Sequence, residues 1–305
     1  MTLAFAILAH DDPKMLGRLV RRLSSHRIVV HVDSKTDIEA FEDQAKLGRV
    51  DYAEYAQNRI NVSWGGYSGV EAMLSTGLEA AEGLSPNAHV AYLSGHCYPV
   101  RPVSEFAEYV AHSDWTQHAR AYTLQSAGGW HISRYERRHW FDFHHFGMKE
   151  RMPPPLLRVA RKALAISGMS MPRVRTNLQV VAGSQWMALS VECLLEANEA
   201  LASPQYRIFK NSFAPDEMAI QTYIHNSHWR LATKNHGVEN ATVSKVSTIP
   251  NFHLLDSEMT GHLANFDPSM RQATGVFFAR KFSSSDFPTL DAIDARLDKH
   301  AEIDD

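Results

Sequence analysis

The sequence predicts an α/β fold built on a mixed, mainly parallel sheet flanked by helices, and three observations carry that prediction. Short apolar runs alternate with helical patterns through the first third of the chain, in the order β-α-β-α-β. Hydrophobic residues make up 44% and charged residues 21% of 305 positions, the balance of a folded chain with a large core. Strongly polar residues follow each strand directly, where open parallel sheets bind their ligands.

Leu3–Ala9 is an apolar run closed by His10-Asp11-Asp12-Pro13. It has no positive charge before it and is too short to cross a bilayer, so it reads as a buried first strand. Met15, Leu16, Leu19, Val20 and Leu23 fall at helical spacing over 14–24, with Pro13 near the helix start. Arg27–Val32 is the second strand and 89–93 the third, ending at Ser94-Gly95; between them Val70, Met73, Leu74, Gly77, Leu78 and Ala81 make 70–81 a helix. From 114 to 172 the chain is rich in aromatic, histidine and arginine residues and carries Pro153-Pro154-Pro155, which reads as loops with one helix near 156–165. The strand pattern resumes at 179–182 and 185–189 around Gly183-Ser184. Helices follow at 190–201 and 218–224, and an amphipathic tail helix at 290–301.

Net charge and cysteine count exclude several functions. At a net charge of -3 the chain has no global positive field to hold nucleic acid. Two cysteines, Cys97 and Cys193, are too few for a disulfide framework and point to a reducing compartment, so cytoplasm is expected. His10-Asp11-Asp12-Pro13 stands where a dinucleotide-binding oxidoreductase would carry its glycine-rich turn, which excludes that class.

Three local patterns carry chemistry. Trp64-Gly65-Gly66-Tyr67-Ser68 precedes a helix, where free N–H groups suit a phosphate, although a plain helix-entry turn with Ser68 as N-cap has the same look. Pro215-Asp216-Glu217 opens a helix, where acids either cap the positive end of the dipole or act on a substrate. Phe277-Phe278-Ala279-Arg280-Lys281-Phe282 is an apolar strand that ends in two bases. His139, His144 and His145 have no cysteine or carboxylate at ligand spacing, so no metal site is expected there.

In chain order, Ala6-Ile7-Leu8-Ala9-His10, Ile28–Lys35, Val62–Ser68, Tyr92–Val100, Gly183-Ser184-Gln185-Trp186, Ala214-Pro215-Asp216-Glu217, Gln221–Ser227 and Phe278–Phe282 form one pattern. That pattern resembles the core-2/I-branching β-1,6-N-acetylglucosaminyltransferases and the related peptide O-xylosyltransferases. The resemblance implies a GT-A-like (Rossmann-like) domain over 1–305, with a nucleotide-binding half, 1–112, an acceptor-side insert, 113–175, and a catalytic half with the C-terminal helix, 176–305. It implies inverting transfer of GlcNAc or xylose from a UDP-sugar without a metal, with Glu217 as general base and Lys281, beside Arg280, neutralising the leaving diphosphate. It further implies that His10, His31, Asp33, Trp64, Gly65, Gly66 and Ser68 hold the donor. Trp130, Arg134, Arg137 and Arg138, with Trp186 and Asp216, would meet the acceptor: a glycan, a lipid-linked sugar or a small molecule. Peripheral contact with a membrane is compatible with the second of these. Arg271 is a further candidate for the diphosphate. Where relatives carry an acid before Tyr-Pro, this chain has Cys97, which opens the identity of the donor sugar. The alternative reading is a sugar-nucleotide- or glycan-binding protein that has kept the fold and lost catalysis.

Overall fold

The computed structural model describes residues 3–45, 52–127, 129–142, 153–238, 251–255, 263 and 275–304. Its strands are β1 (Leu3–Ala9), β2 (Arg27–Val32), β3 (Ala53–Tyr55), β4 (His89–Ser94), β5 (Tyr98–Pro99), β6 (Ala121–Thr123), β7 (Val181–Gly183), β8 (Ala188–Ser190), β9 (His253–Leu255) and β10 (Phe278–Arg280). The main sheet runs β3-β2-β1-β4-β8, parallel except at the β8 edge. β5-β10-β9 and β6-β7 form two smaller sheets.

β1 explains this layout. Phe5 and Ile7 pack with Ile28, Val30, Ala91 and Leu93, while Ala4 and Ala6 pack with Val29, Val90 and Tyr92 on the opposite face. That is the two-residue period of a strand buried on both sides. Helix Ser68–Ala81 lies on the small-residue face through Val70 and Met73, and Gly77 is required there because any Cβ would strike the Tyr92 hydroxyl. Helix Pro13–Arg22 covers the other face with Met15, Leu16 and Leu19. Asp12 caps it, accepting the Met15 N–H at 3.1 Å. Outside that, Arg18 and Arg22 hold helix Phe287–Asp304 through Asp291, Asp294 and Asp298.

The structure departs from the sequence reading mainly between 114 and 172. That stretch is not loop around a single helix: β6 and helices Leu124–Ala127 and Gly129–Glu136 precede the foreseen helix, which runs Pro154–Ser170. The inward stripe of Gly129–Glu136 is His131, Arg134 and Tyr135, and two polar members conceal its helical spacing from a count of apolar residues. Helices Ile38–Ala45 and Val103–His112 and strand β3 were not foreseen either. Around Gly183 the strand pattern resolves into β7, which pairs with β6, and β8, which joins the main sheet; Gln185 and Trp186 belong to neither. Helix Ala219–Asn226 is preceded by a 3-10 turn over Pro215–Glu217.

Candidate active site

From β1 the chain crosses to β2 on one side, while β4 pairs with β1 on the other, so a crevice opens beyond the carboxyl ends of β1 and β4. Asp11 and His96, the residues just past those two ends, meet there with Nε2–Oδ1 at 2.7 Å. The His96 Nδ1 donates to the Phe282 carbonyl at 2.8 Å and the Phe282 N–H to the His96 carbonyl at 3.0 Å, pinning the end of β10 across the crevice. Burial opposes charge on His96, but its bonds to Asp11 and to Phe282 outweigh it and raise its pKa; the same pair lowers that of Asp11.

Arg280 and Lys281 are thereby delivered to the crevice. Arg280 is half-buried, donates from Nε to Ser94 Oγ at 2.8 Å, and lies over the Trp186 ring at 4.6 Å. Burial lowers its pKa, against the electrostatic influence of neighbouring Cys97, Asp11 and Asp216. Lys281 is lowered first by burial and then by Arg280. Cys97 is fully buried beside Arg280 with its thiol pushed up by burial, and its Sγ accepts the Ser94 N–H at 3.2 Å.

Glu217 ends the 3-10 turn, with its side chain 22% exposed, and its Oε2 accepts from Arg134 Nη2 at 2.7 Å. The Arg134 side chain is 3% exposed and also donates to the Phe213 and Ala214 carbonyls at 3.3 and 3.0 Å, so the guanidinium fork is fixed before it meets the carboxylate. Arg134, expected at the acceptor, stands against the Glu217 carboxylate. Ala214 reaches the turn through a left-handed conformation, φ 49. Its N–H donates to the Gly65 carbonyl at 2.9 Å, and Gly65 is itself at φ 75, where a Cβ would sit 2.9 Å from the Phe213 ring. The two turns therefore brace each other. Asp216, expected at the acceptor, stands half-buried beside Glu217. Desolvation first, and Glu217 second, push its carboxyl up to about 7, and its Oδ1 has no hydrogen-bond partner.

The glycine-rich turn does not leave its N–H groups free. The Asp142 carboxylate accepts from Tyr67 N–H at 2.7 Å, Ser68 N–H at 3.4 Å and Ser68 Oγ at 2.5 Å. A Cβ on Gly66 would collide with it. Ser68 is the first helical residue here, and the cap arrives from a distant loop. Trp64, 79% exposed, and Trp130, 62% exposed, both lean edge-on against Phe213, with ring centroids 5.4 and 6.0 Å away. Phe141 completes the cluster 5.3 Å from Phe213.

The remaining assigned residues scatter. His10 is exposed and points along Asp11 at 3.5 Å. His31 is buried, accepts the Ile60 N–H at 2.8 Å, and has its pKa pressed down to about 4 by burial, so it fastens a loop as a neutral ring. Asp33 is engaged by Lys35 through backbone N–H at 3.0 Å and Nζ at 2.6 Å. Trp186, assigned to the acceptor, is buried under Arg280. Arg137 and Arg138 follow the Gly129–Glu136 helix, and the Arg138 carbonyl packs at Gly168. Arg271, His144 and His145 lie outside the described residues. Asp142, Phe213, Asp11 and His96 are site features that the sequence left unassigned; only Asp11 and His96 had a signal, their place after β1 and β4. Among the described residues, no group of three or more His, Cys, Asp or Glu is arranged for a metal ion, and no helix is long and apolar enough to cross a membrane. A comparison with protein-family models matches residues 3–267 to the family described as Core-2/I-Branching enzyme. A search of curated proteins finds no match.

Proposed function

The chain belongs to the core-2/I-branching enzyme family and is a glycosyltransferase with a nucleotide-sugar donor and a glycan acceptor; on that premise we propose that it transfers GlcNAc or xylose from a UDP-sugar with inversion, Glu217 acting as base. The observation that carries this reading is the Glu217 carboxylate itself, half open and oriented through Oε2 by a buried arginine, which leaves Oε1 for an acceptor hydroxyl. Arg134 places a fixed positive charge on the Glu217 carboxylate, and the raised pKa of Asp216 weakens the second negative charge behind it.

In the reaction, Glu217 takes the hydroxyl proton as the acceptor oxygen forms its bond to the anomeric carbon. The carbon–oxygen bond to the diphosphate breaks on the opposite face, and its electron pair leaves with UDP. Arg280 and Lys281, at the mouth of the β1/β4 crevice, take up the charge that a divalent ion neutralises in other enzymes. The exposed Trp64 and Trp130, with half-buried Phe141, offer flat faces beside Phe213 to the acceptor's sugar ring.

UDP release from UDP-GlcNAc and UDP-xylose, with and without EDTA, tests the proposal. Turnover should survive EDTA, and Glu217→Gln should lower kcat by roughly a thousandfold with donor binding kept. Full turnover by Glu217→Ala would move the base elsewhere, and loss of all turnover in EDTA would restore a metal to the mechanism.

A further inference from the structure

Helix Pro154–Ser170 carries an outer face that the fold leaves uncovered. Leu157, Ala160, Leu164 and Gly168 are its less accessible positions, and Gly168 admits the Arg138 carbonyl. On the outside, Leu156, Val159, Ile166 and Met169 are exposed large hydrophobics, from half to two-thirds accessible, and Ala163 is exposed between them. Their i, i+3, i+7, i+10 and i+13 spacing draws one apolar stripe down the helix. Arg158 and Lys162, also exposed, lie one turn apart on the neighbouring stripe.

The charge pattern is one-sided. From 151 to 191 the sequence has six basic residues, at 151, 158, 161, 162, 173 and 175, and no acidic one, in a chain whose net charge is -3. A helix turned only to water gains nothing from a bare leucine–valine–isoleucine–methionine stripe, and one facing a protein core would not set unneutralised cations beside it. Apolar residues flanked by cations alone are the pattern of a helix lying in the headgroup layer of an anionic bilayer. The inner side of the helix packs near Trp140, in the segment whose Phe141 and Asp142 reach the tryptophan cluster and the glycine-rich turn, so the outer stripe is free of those contacts.

We propose that helix Pro154–Ser170 is a membrane-docking helix, seating Leu156, Val159, Ile166 and Met169 at the interface of an anionic lipid surface while Arg158 and Lys162 pair with its phosphates. The docking is independent of the transfer reaction proposed above. Flotation of the full chain with vesicles of phosphatidylcholine alone, and of phosphatidylcholine with about one-third phosphatidylglycerol, tests it directly. The protein should partition at least tenfold better onto the anionic vesicles, and the advantage should shrink as salt is raised, since each basic side chain is worth roughly fivefold at such a surface. Arg158→Glu with Lys162→Glu should abolish the preference for anionic lipid. Val159→Asp with Ile166→Asp should abolish binding, with an unchanged thermal melt in buffer showing that the fold is intact. Equal recovery on both vesicle types, no flotation at all, or full binding by the aspartate pair would each overturn the proposal. Gel filtration that shows a dimer lost in the aspartate pair would overturn it in favour of a second copy of this chain.

Discussion

Arg134 is the residue that orients Glu217, the base in the proposed reaction. It meets Glu217 through Nη2 at 2.7 Å, a nitrogen it shares with the Ala214 carbonyl, while Nε donates to the Phe213 carbonyl, a geometry that lysine cannot copy. Arg134→Lys should therefore lower kcat more than about tenfold with little change in the donor KM, read from steady-state UDP release. Arg134→Ala should in addition cost about 3 kcal/mol in urea unfolding, because a half-buried carboxylate and two carbonyls lose their partner. His31 makes a second prediction of known sign. Burial holds its folded-state pKa near 4, below the ordinary 6.5, so the stability it contributes is complete above pH 6.5 and is lost as pH falls toward 4. That loss amounts to about 3 kcal/mol at most. His31→Asn keeps an acceptor for the Ile60 N–H without titrating. Urea midpoints for the two proteins should converge as pH drops from 7 to 4.5, with buried His118, pressed down to about 3, supplying part of the remaining slope in both.

At the scale of elements, the turn over 63–69 and the segment that carries Asp142 stand or fall together. Asp142→Ala strips the cap from helix Ser68–Ala81 and leaves the Ser68 hydroxyl short of an acceptor, so it should cost about 1–2 kcal/mol; Asp142→Asn should recover much of that. Gly66→Ala should do comparable damage by displacing the same carboxylate, and the two substitutions together should cost less than their sum in thermal or urea unfolding. Such a pairing could not be read from the chain, because nothing about Asp142 announces a partner so far away. The strands and the first helix could be read, since a two-residue period in Leu3–Ala9 and a 3.6-residue one after Pro13 are written locally. The family resemblance, and not a local period, placed Trp186 on the acceptor side; only the fold puts Arg280 on top of it. Glu217 was legible through its Pro-Asp-Glu setting, whereas its arginine was legible only as a charge in an aromatic loop.

The molecule as a whole is held by burial and ion pairs, and both cysteines are free and buried in separate cores. Reducing agent should therefore leave the melting temperature unchanged to within about one degree, and thiol labelling should be slow until the protein unfolds. The Asp142 contact has a further meaning at this scale. It fastens the stretch that the sequence assigns to the acceptor side onto the half that carries β1 to β4, by a carboxylate lent from one to the other. A chimera that imports this stretch from another member of the family inherits the fit only if it brings an acid to the same place. Grafted without one, the new segment would face Gly66 across an empty seat, so an exchange of this stretch between relatives is expected to need matched halves of a latch and not a loop alone.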